Sequence, residues 1–410
     1  MMSKKIRQTI SYTIIVILLF STIQITTGFS NHKTKNIDDN KIFSDLKIKT
    51  LMKIGNYPSF SVCIIKNQDI IVYKSYGFSD IYKLKKPTKN TVYPVGSISK
   101  TITATALMQL YEKGYFKLED DINKYLNFSV RNPRYPDTPI TFKMLLSHQS
   151  SLNGSARAKI SYLRYLLLCQ FPFSNNIIHL PDYPYPWIKE YVNQSGCLYS
   201  PSIWRDYAPG EHPCYSNINT ILLEHIIERF TNQSFEEYCK ENIFDVLDMK
   251  NTSFHFIDLK DSDIAKNYLI KLLGFYIPYP KIDTATASGG LKTSVEDLSH
   301  FLIAHMNGGV WKDKRILNQT TIDLMHSKQY PESPDGFHYY GLGWEIYSKK
   351  MHDMIFQGHD GNIIGGAGTI KMNQTNKIGI ILMCNRGVIN DIQINAWDKI
   401  EVELLKNNLR

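Results

Sequence analysis

Two pairs of apolar runs, one near each end of the chain, most constrain what it can fold into. Near the front, Phe60 to Ile65 and Ile70 to Tyr76 are joined by Lys66-Asn67-Gln68-Asp69; near the back, Ala367 to Met372 and Ile378 to Cys384 are joined by Asn373-Gln374-Thr375-Asn376. Each pair reads as a β-hairpin, because short runs of β-branched and aromatic residues are bounded by polar turn residues. A further strand is expected over Met354 to Phe356. A hairpin cannot bury its faces alone, so the two chain ends are expected in one antiparallel sheet with the intervening chain packed around it.

Between the hairpins the periodicity changes. Ile98, Ile102, Ala106 and Leu110 recur every four residues between Ser97 and Tyr111, and Lys113-Gly114 follows, which predicts an amphipathic helix with a glycine stop. From about Leu126 to Thr284 strand-like alternation is nearly absent. Helical patterns at Phe142 to Leu146, Ala158 to Leu168, Thr220 to Phe230 and Phe235 to Ile243 are separated by loops rich in Pro, Tyr and Trp. Helices are expected again over Ser294 to Ala304 and Asp391 to Leu405. The fold class is therefore α/β (α+β): residues 49–125 and 285–406 form a sheet-bearing lobe, residues 126–284 an inserted all-α lobe, and their seam is the natural cleft. The aromatic stretch Phe171 to Tyr207 has two readings, a loop covering the α lobe or a wall of a substrate pocket.

A chain of 410 residues with 43% hydrophobic content can bury such a core. Its formal charge of +9 resembles a nucleic-acid signal until it is located: residues 1–50 hold eight Lys/Arg against three Asp/Glu, and the remainder is nearly balanced. No basic stripe with interleaved aromatics follows, so nucleic acid is not an expected partner. Lys4, Lys5 and Arg7 precede an apolar run from Tyr12 to Phe20 and the small polar stretch Ser21 to Ser30. The run is short for a transmembrane helix and predicts a secretory signal within residues 1–28, or else an uncleaved membrane anchor, with a linker at 29–48; the polar stretch 31–50 also allows a first helix. Seven Asn-x-Ser/Thr sequons, at Asn127, Asn153, Asn193, Asn232, Asn251, Asn318 and Asn373, agree with a secreted glycoprotein. Six cysteines are too few for a disulfide scaffold. Cys63 and Cys384 lie in strand-like runs as small hydrophobes, whereas Cys197 and Cys214 flank an aromatic loop and could pair in an oxidising compartment. No Cys-x-x-Cys or His-Glu-x-x-His occurs, so no metal or cofactor is expected.

Ser-x-x-Lys occurs at Ser30/Lys33, Ser44/Lys47 and Ser97/Lys100, and only the last copy opens a predicted helix. There the hydroxyl and the amine share one face. A lysine of lowered pKa can take the hydroxyl proton, which makes Ser97 the candidate nucleophile, and free N–H groups at the helix start favour negative charge beside it. Tyr215-Ser216-Asn217 stands just before another helical pattern. A tyrosine near a lysine can work as a phenolate, and an asparagine can both donate to and accept from a substrate amide. Gln357-Gly358-His359-Asp360-Gly361-Asn362 runs towards the C-terminal strands, where a glycine-flanked edge lets a substrate lie on the backbone and an N–H can form half of an oxyanion hole.

Ser-x-x-Lys, Tyr-Ser-Asn and His-x-Gly, in this order and at these distances, resemble the penicillin-recognising serine hydrolases: class C β-lactamases, D-alanyl-D-alanine carboxypeptidases, and related esterases and D-aminopeptidases. The likeness continues through Leu145-Leu146-Ser147-His148-Gln149-Ser150-Ser151-Leu152, Ala287-Ser288-Gly289-Gly290-Leu291 with Asp297-Leu298, and Tyr340-Gly341-Leu342-Gly343-Trp344, and covers about Lys49 to Arg386. It implies a β-lactamase/DD-peptidase-like fold and an acyl-enzyme formed on Ser97. Lys100 and Tyr215 would share the proton traffic, with the base for acylation left open between them. Asn217 would hold the substrate's amide, His359 would keep the pocket polar or electropositive, Gly361 would admit the substrate, and the N–H groups of Ser97 and Asn362 would form the oxyanion hole. Asp360 stands where the family usually has a threonine that helps bind a carboxylate, and would repel one if it points inward. The implied function is a secreted or membrane-anchored serine hydrolase acting on a small-molecule or peptide ester or amide. A true β-lactamase or D-Ala-D-Ala carboxypeptidase is the alternative among enzymes, and a non-catalytic binding or structural protein is the alternative outside them.

Overall fold

In the computed structural model, which describes residues 39–154, 178–179, 188–283, 287–332, 336, 338–348, 351 and 354–408, the two chain-end hairpins share one seven-stranded antiparallel sheet. Helix α1 (Asp39–Gly55) leads into β1 (Ser59–Lys66) and β2 (Asp69–Gly77). Helices α2 (Ser99–Glu112) and α3 (Asn217–Thr231) follow, then a hairpin of β3 (Tyr268–Leu272) and β4 (Phe275–Pro278), and helix α4 (Val295–Met306). The chain returns to the sheet through β5 (His338–Tyr340), β6 (Glu345–Tyr347), β7 (Gln357–Ile363), β8 (Gly366–Asn373) and β9 (Ile378–Cys384), and ends in α5 (Asp391–Asn408). Strand order is β5-β6-β7-β8-β9-β1-β2. Residues 43–410 form one compact unit, and no helix among the described residues is long and apolar enough to cross a membrane.

The join between the chain ends is the β1–β9 ladder, with Cys63 opposite Ile381. β1, β8 and β9 are covered on both faces, which is why they read as nearly continuous apolar runs, whereas β2 at the edge alternates. The first hairpin closes through Asn67 and Gln68 alone, both at positive φ (51° and 72°), a two-residue turn whose twist suits antiparallel strands. α1 and α5 cover one sheet face, where Ile48, Phe60, Trp397 and Ile400 share a cluster. α2 and α4 cover the other, where Ile98, Ile102, Leu302, Ile370 and Ile381 belong to the larger cluster that continues into α3.

Several expectations change on the structure. α2 is not amphipathic in its setting: every residue from Ser99 to Gln109 is buried, because the helix runs through the interior. Its hydroxyls are satisfied locally, Thr101 donating to Ile98 O, Thr103 to Ser99 O and Thr105 to Thr101 O, so the threonines of this helix can be buried without orphaned hydroxyls. The segment expected as all-α contains the short helix Phe142–Leu146, α3 and the helix Phe235–Cys239 with a π-helical extension to Phe244, but also the β3–β4 hairpin. That hairpin turns through Leu273-Gly274 at φ 49° and 89°, and a leucine gives no turn signal. Met354 to Phe356 is no strand: Met351 and Met354 form a single bridge, and β7 begins at Gln357, so that it contains the His359-x-Gly361 motif. Cys197 and Cys214 are unpaired thiols, the first exposed and the second buried with its Sγ accepting from Arg205 Nε at 3.2 Å. The helix expected over Ala158 to Leu168, the signal or anchor in residues 1–28, and much of Phe171 to Tyr207 lie outside the described residues.

Candidate active site

Ser97 is placed by a turn that only glycines allow. Val92–Pro94 pairs with Lys292–Ser294, and the chain then bends through Gly96 at φ 53° into a single 3-10 turn, Gly96–Ile98, that feeds α2. A Cβ on Gly96 would lie 2.8 Å from Asn362 N, and one on Gly361 would lie 1.8 Å from Val95 O. The backbone before Ser97 therefore packs directly on β7, bringing together the two segments expected to form the oxyanion hole. β6 pairs with β7 only at Gly358 and Gln357. From His359 to Ile363, β7 keeps β8 on one side and presents its other edge, the geometry a substrate backbone needs.

Three side chains meet at the Ser97 hydroxyl. Lys100 Nζ lies 3.0 Å from Ser97 Oγ and donates to Ser288 O at 2.6 Å, while Tyr215 OH donates to Ser97 Oγ at 2.8 Å. Lys100 Nζ also sits 5.0 Å from the centre of the Tyr215 ring. Lys100 is 3% exposed, and burial pulls its pKa down to about 7 against the opposing charge of Glu345. Tyr215 keeps 37% of its surface open, yet burial of its hydroxyl pushes the phenol well above its usual range, the bond to Ser97 offsetting part of this.

A ring of further groups holds this arrangement. His148, at φ 57°, is buried and packs 4.5 Å from the Tyr215 ring centre. Its Nδ1 accepts from the Ser216 N–H at 3.3 Å and from Asn219 Nδ2 at 3.0 Å, and its carbonyl accepts from the Cys214 N–H at 2.7 Å. Both ends of the tyrosine loop are thus tied to one residue. Asn217, by contrast, is exposed at the first residue of α3, and the buried amide nearby is Asn219. His359 is buried on β7 with its ring centre 6.2 Å from that of Tyr215, and burial together with Lys100 draws its pKa down to about 4. Of the two expectations for His359, polar or electropositive, its lowered pKa favours the first: the imidazole is polar and uncharged at neutral pH. Asp360 does not point into the cleft: Thr369 Oγ1 and Tyr347 OH donate to its carboxylate at 2.7 and 3.0 Å, with Lys371 Nζ 3.3 Å away.

Of the seven site residues expected from sequence, the structure brings the backbones or side chains of Ser97, Lys100, Tyr215, His359, Gly361 and Asn362 to one place, while Asn217 is exposed at the start of α3. Sequence alone assigns no role to His148, Ser288 or Glu345. The first two stand within stretches already recognised as family-like, so their positions were marked though their contacts were not. Glu345 directly follows Trp344 and carries no local signal, since only the β6–β7 register sets its carboxylate beside His359.

Residues 45–403 match the sequence model of the family described as Beta-lactamase. Among curated relatives, Protein flp of Staphylococcus aureus (strain N315) is 25% identical over 353 residues, covering 86% of this chain and 64% of the relative, so the chain spans less than two thirds of that protein's length. Beta-lactamase-like protein 2 of Dictyostelium discoideum is 25% identical over 347 residues, covering 82% of this chain and 57% of the relative. Among solved structures, the octameric penicillin-binding protein homologue from Pyrococcus abyssi superposes with a TM-score of 0.75 at 28% identity, covering 91% of this chain and 78% of the other. The D-amino acid amidase of Ochrobactrum anthropi SV3 shares the fold at a TM-score of 0.68 and 18% identity, covering 90% of this chain and 100% of the other. The family model covers residues 45–403, most of the chain, and so this protein belongs to the beta-lactamase family.

Proposed function

We propose that the protein is a serine hydrolase that cleaves an ester or neutral amide through an acyl-enzyme on Ser97. The observation that carries this reading is the double contact at Ser97 Oγ, with Lys100 Nζ at 3.0 Å and Tyr215 OH at 2.8 Å. The opposite pKa shifts favour Lys100 over Tyr215 as the base. An amine titrating at about 7 is substantially neutral at physiological pH, whereas the phenol stays protonated. With Lys100 neutral, Ser97 donates its proton to Nζ while Tyr215 keeps donating to Oγ. As Oγ bonds to the substrate carbon, the carbonyl electron pair moves onto oxygen, facing the N–H groups of Ser97 and Asn362. Each such donor is worth about 3–4 kcal/mol in comparable enzymes. The proton then passes from Lys100 by way of Tyr215 to the leaving nitrogen or oxygen as its bond to carbon breaks. Water repeats the sequence on the acyl-enzyme, with Ser97 as the leaving group.

The fold is shared with a beta-lactamase/D-alanine carboxypeptidase from Pseudomonas syringae and with the D-amino acid amidase, which supports the hydrolase reading. The N-terminal apolar run and the sequons support action outside the cytoplasm. The test is turnover of p-nitrophenyl butyrate with rapid mixing, beside nitrocefin and Ser97→Ala. A burst of one p-nitrophenolate per protein that disappears in Ser97→Ala is expected. Turnover unchanged by Ser97→Ala, or none on any ester, amide or β-lactam offered, would overturn the proposal.

A further inference from the structure

Beside the nucleophile, two acceptors face each other without a donor between them. His359 Nδ1 lies 2.7 Å from Asp360 O, and because a carbonyl can only accept, Nδ1 carries the proton. The imidazole is neutral at physiological pH, so Nε2 presents a lone pair. That lone pair looks at Glu345 Oε1 across 3.9 Å, too far for a hydrogen bond. The other carboxylate oxygen, Oε2, lies 3.1 Å from Tyr347 OH, whose single proton is shared between it and Asp360 Oδ2 at 3.0 Å. Glu345 is itself largely enclosed, with 13% of its side chain exposed, and its charge reaches both Lys100 and Tyr215. A nitrogen donor standing off the line between the two acceptors could bond to both at about 2.9 Å.

We propose that Glu345 Oε1 and His359 Nε2 form a socket for an ammonium group on the substrate, so that the site selects amine-bearing esters or amides and rejects carboxylates. An ammonium offers several N–H donors and a charge opposite to Glu345, and charge-assisted bonds of this kind are about twice as strong as neutral ones. Asp360, joined to Glu345 through the shared Tyr347 hydroxyl, adds negative potential from behind. Among the described residues no group of three His, Cys, Asp or Glu side chains is placed to hold a metal ion. The inference rests on the hydrolase reading for its biological meaning, but the socket can be measured without turnover.

The socket should also respond to pH. Burial and the neighbouring Asp360 raise the Glu345 pKa to about 7, while His338, Tyr347 and Lys371 pull the other way; Lys100, Tyr215 and His359 complete its surroundings. Its carboxylate is therefore neutralised below about pH 7 and charged above it.

The experiment is a ligand-observed NMR titration of the full chain with benzylammonium, benzyl alcohol and benzoate at pH 8 and pH 6. Benzylammonium is expected to bind at least about tenfold more tightly than benzyl alcohol at pH 8, with benzoate weakest. The preference should shrink at pH 6 and collapse towards unity in Glu345→Gln, whose folding is checked by its thermal melt. Equal affinities in the wild type, tighter benzoate, a preference indifferent to pH, or one retained in folded Glu345→Gln would overturn the socket. If Glu345→Gln does not fold, the wild-type pH series alone decides. Loss of Ser97-dependent ester turnover would instead defeat the hydrolase reading and leave these affinities standing.

Discussion

An amine that is 3% exposed is costly to charge, and this is what makes Lys100 useful beside a hydroxyl. Because burial lowers its pKa to about 7, the fraction of free base rises with pH through neutrality. The log of kcat/KM for ester cleavage should accordingly climb from pH 5 to pH 7 and level off above it, a profile measurable with a buffer series at constant ionic strength. Lys100→Met should lower kcat/KM by about 10³-fold or more, and Tyr215→Phe, which keeps the ring against His148 but removes the donor to Ser97, by about 10²–10⁴-fold. Activity of Tyr215→Phe within twofold of wild type would remove the phenol from the proton path. At this scale the sequence was legible where a residue acts through its own chemistry, as Ser97, Lys100 and Tyr215 do. It was not legible for Glu345, whose importance comes from a strand register, or for Asp360, whose side-chain direction depends on the pleat around it.

The Ser97 turn and β7 act as one element, held at a separation that admits no Cβ on either side. Gly96→Ala would put a methyl group 2.8 Å from Asn362 N in a left-handed conformation, and Gly361→Ala would force one to 1.8 Å from Val95 O. Both should cost about 1–3 kcal/mol of stability from overpacking, with a larger loss in kcat, about 10²-fold, as the oxyanion donors shift apart. Gly114, at φ 78° with nothing within 4 Å of a built Cβ, is the control: its replacement by Ala should cost about 1 kcal/mol and leave kcat unchanged. Denaturation midpoints and kcat measured on the three variants separate these outcomes. The elements themselves were readable where periodicity and turn chemistry agree, as in both terminal hairpins and in the Ser294-capped α4. They were missed where one signal was absent, as at the Leu273-Gly274 turn, or misread where tertiary burial overrode pattern, as in α2.

Across the whole molecule, the two ends of the chain complete the sheet and its outer layer, and a buried polar link fastens that layer to the site. Lys371 on β8 bonds to Glu401 of α5 at 2.7 Å and stands 3.3 Å from Asp360 on β7, while Trp397 Nε1 donates to Glu401 Oε1 at 2.7 Å and to Thr369 Oγ1 at 3.0 Å. Lys371→Met would leave two carboxylates without their cation and should destabilise the fold by about 3–5 kcal/mol, read as a lower urea midpoint; an unchanged midpoint would contradict this. The sheet joining both ends was implied by the two hairpins, but this cross-link was not, since its members lie on three elements far apart in sequence. The claim on which the rest depends is that the molecule carries an activated serine at position 97. It is tested most directly by incubating the protein with a fluorophosphonate and locating the adduct by intact-mass and peptide mass spectrometry. The account predicts one adduct per chain, on Ser97, formed faster as pH rises from 6 to 8 and absent in Lys100→Met. An adduct elsewhere, or labelling of Ser97 at the same rate in Lys100→Met, would contradict it.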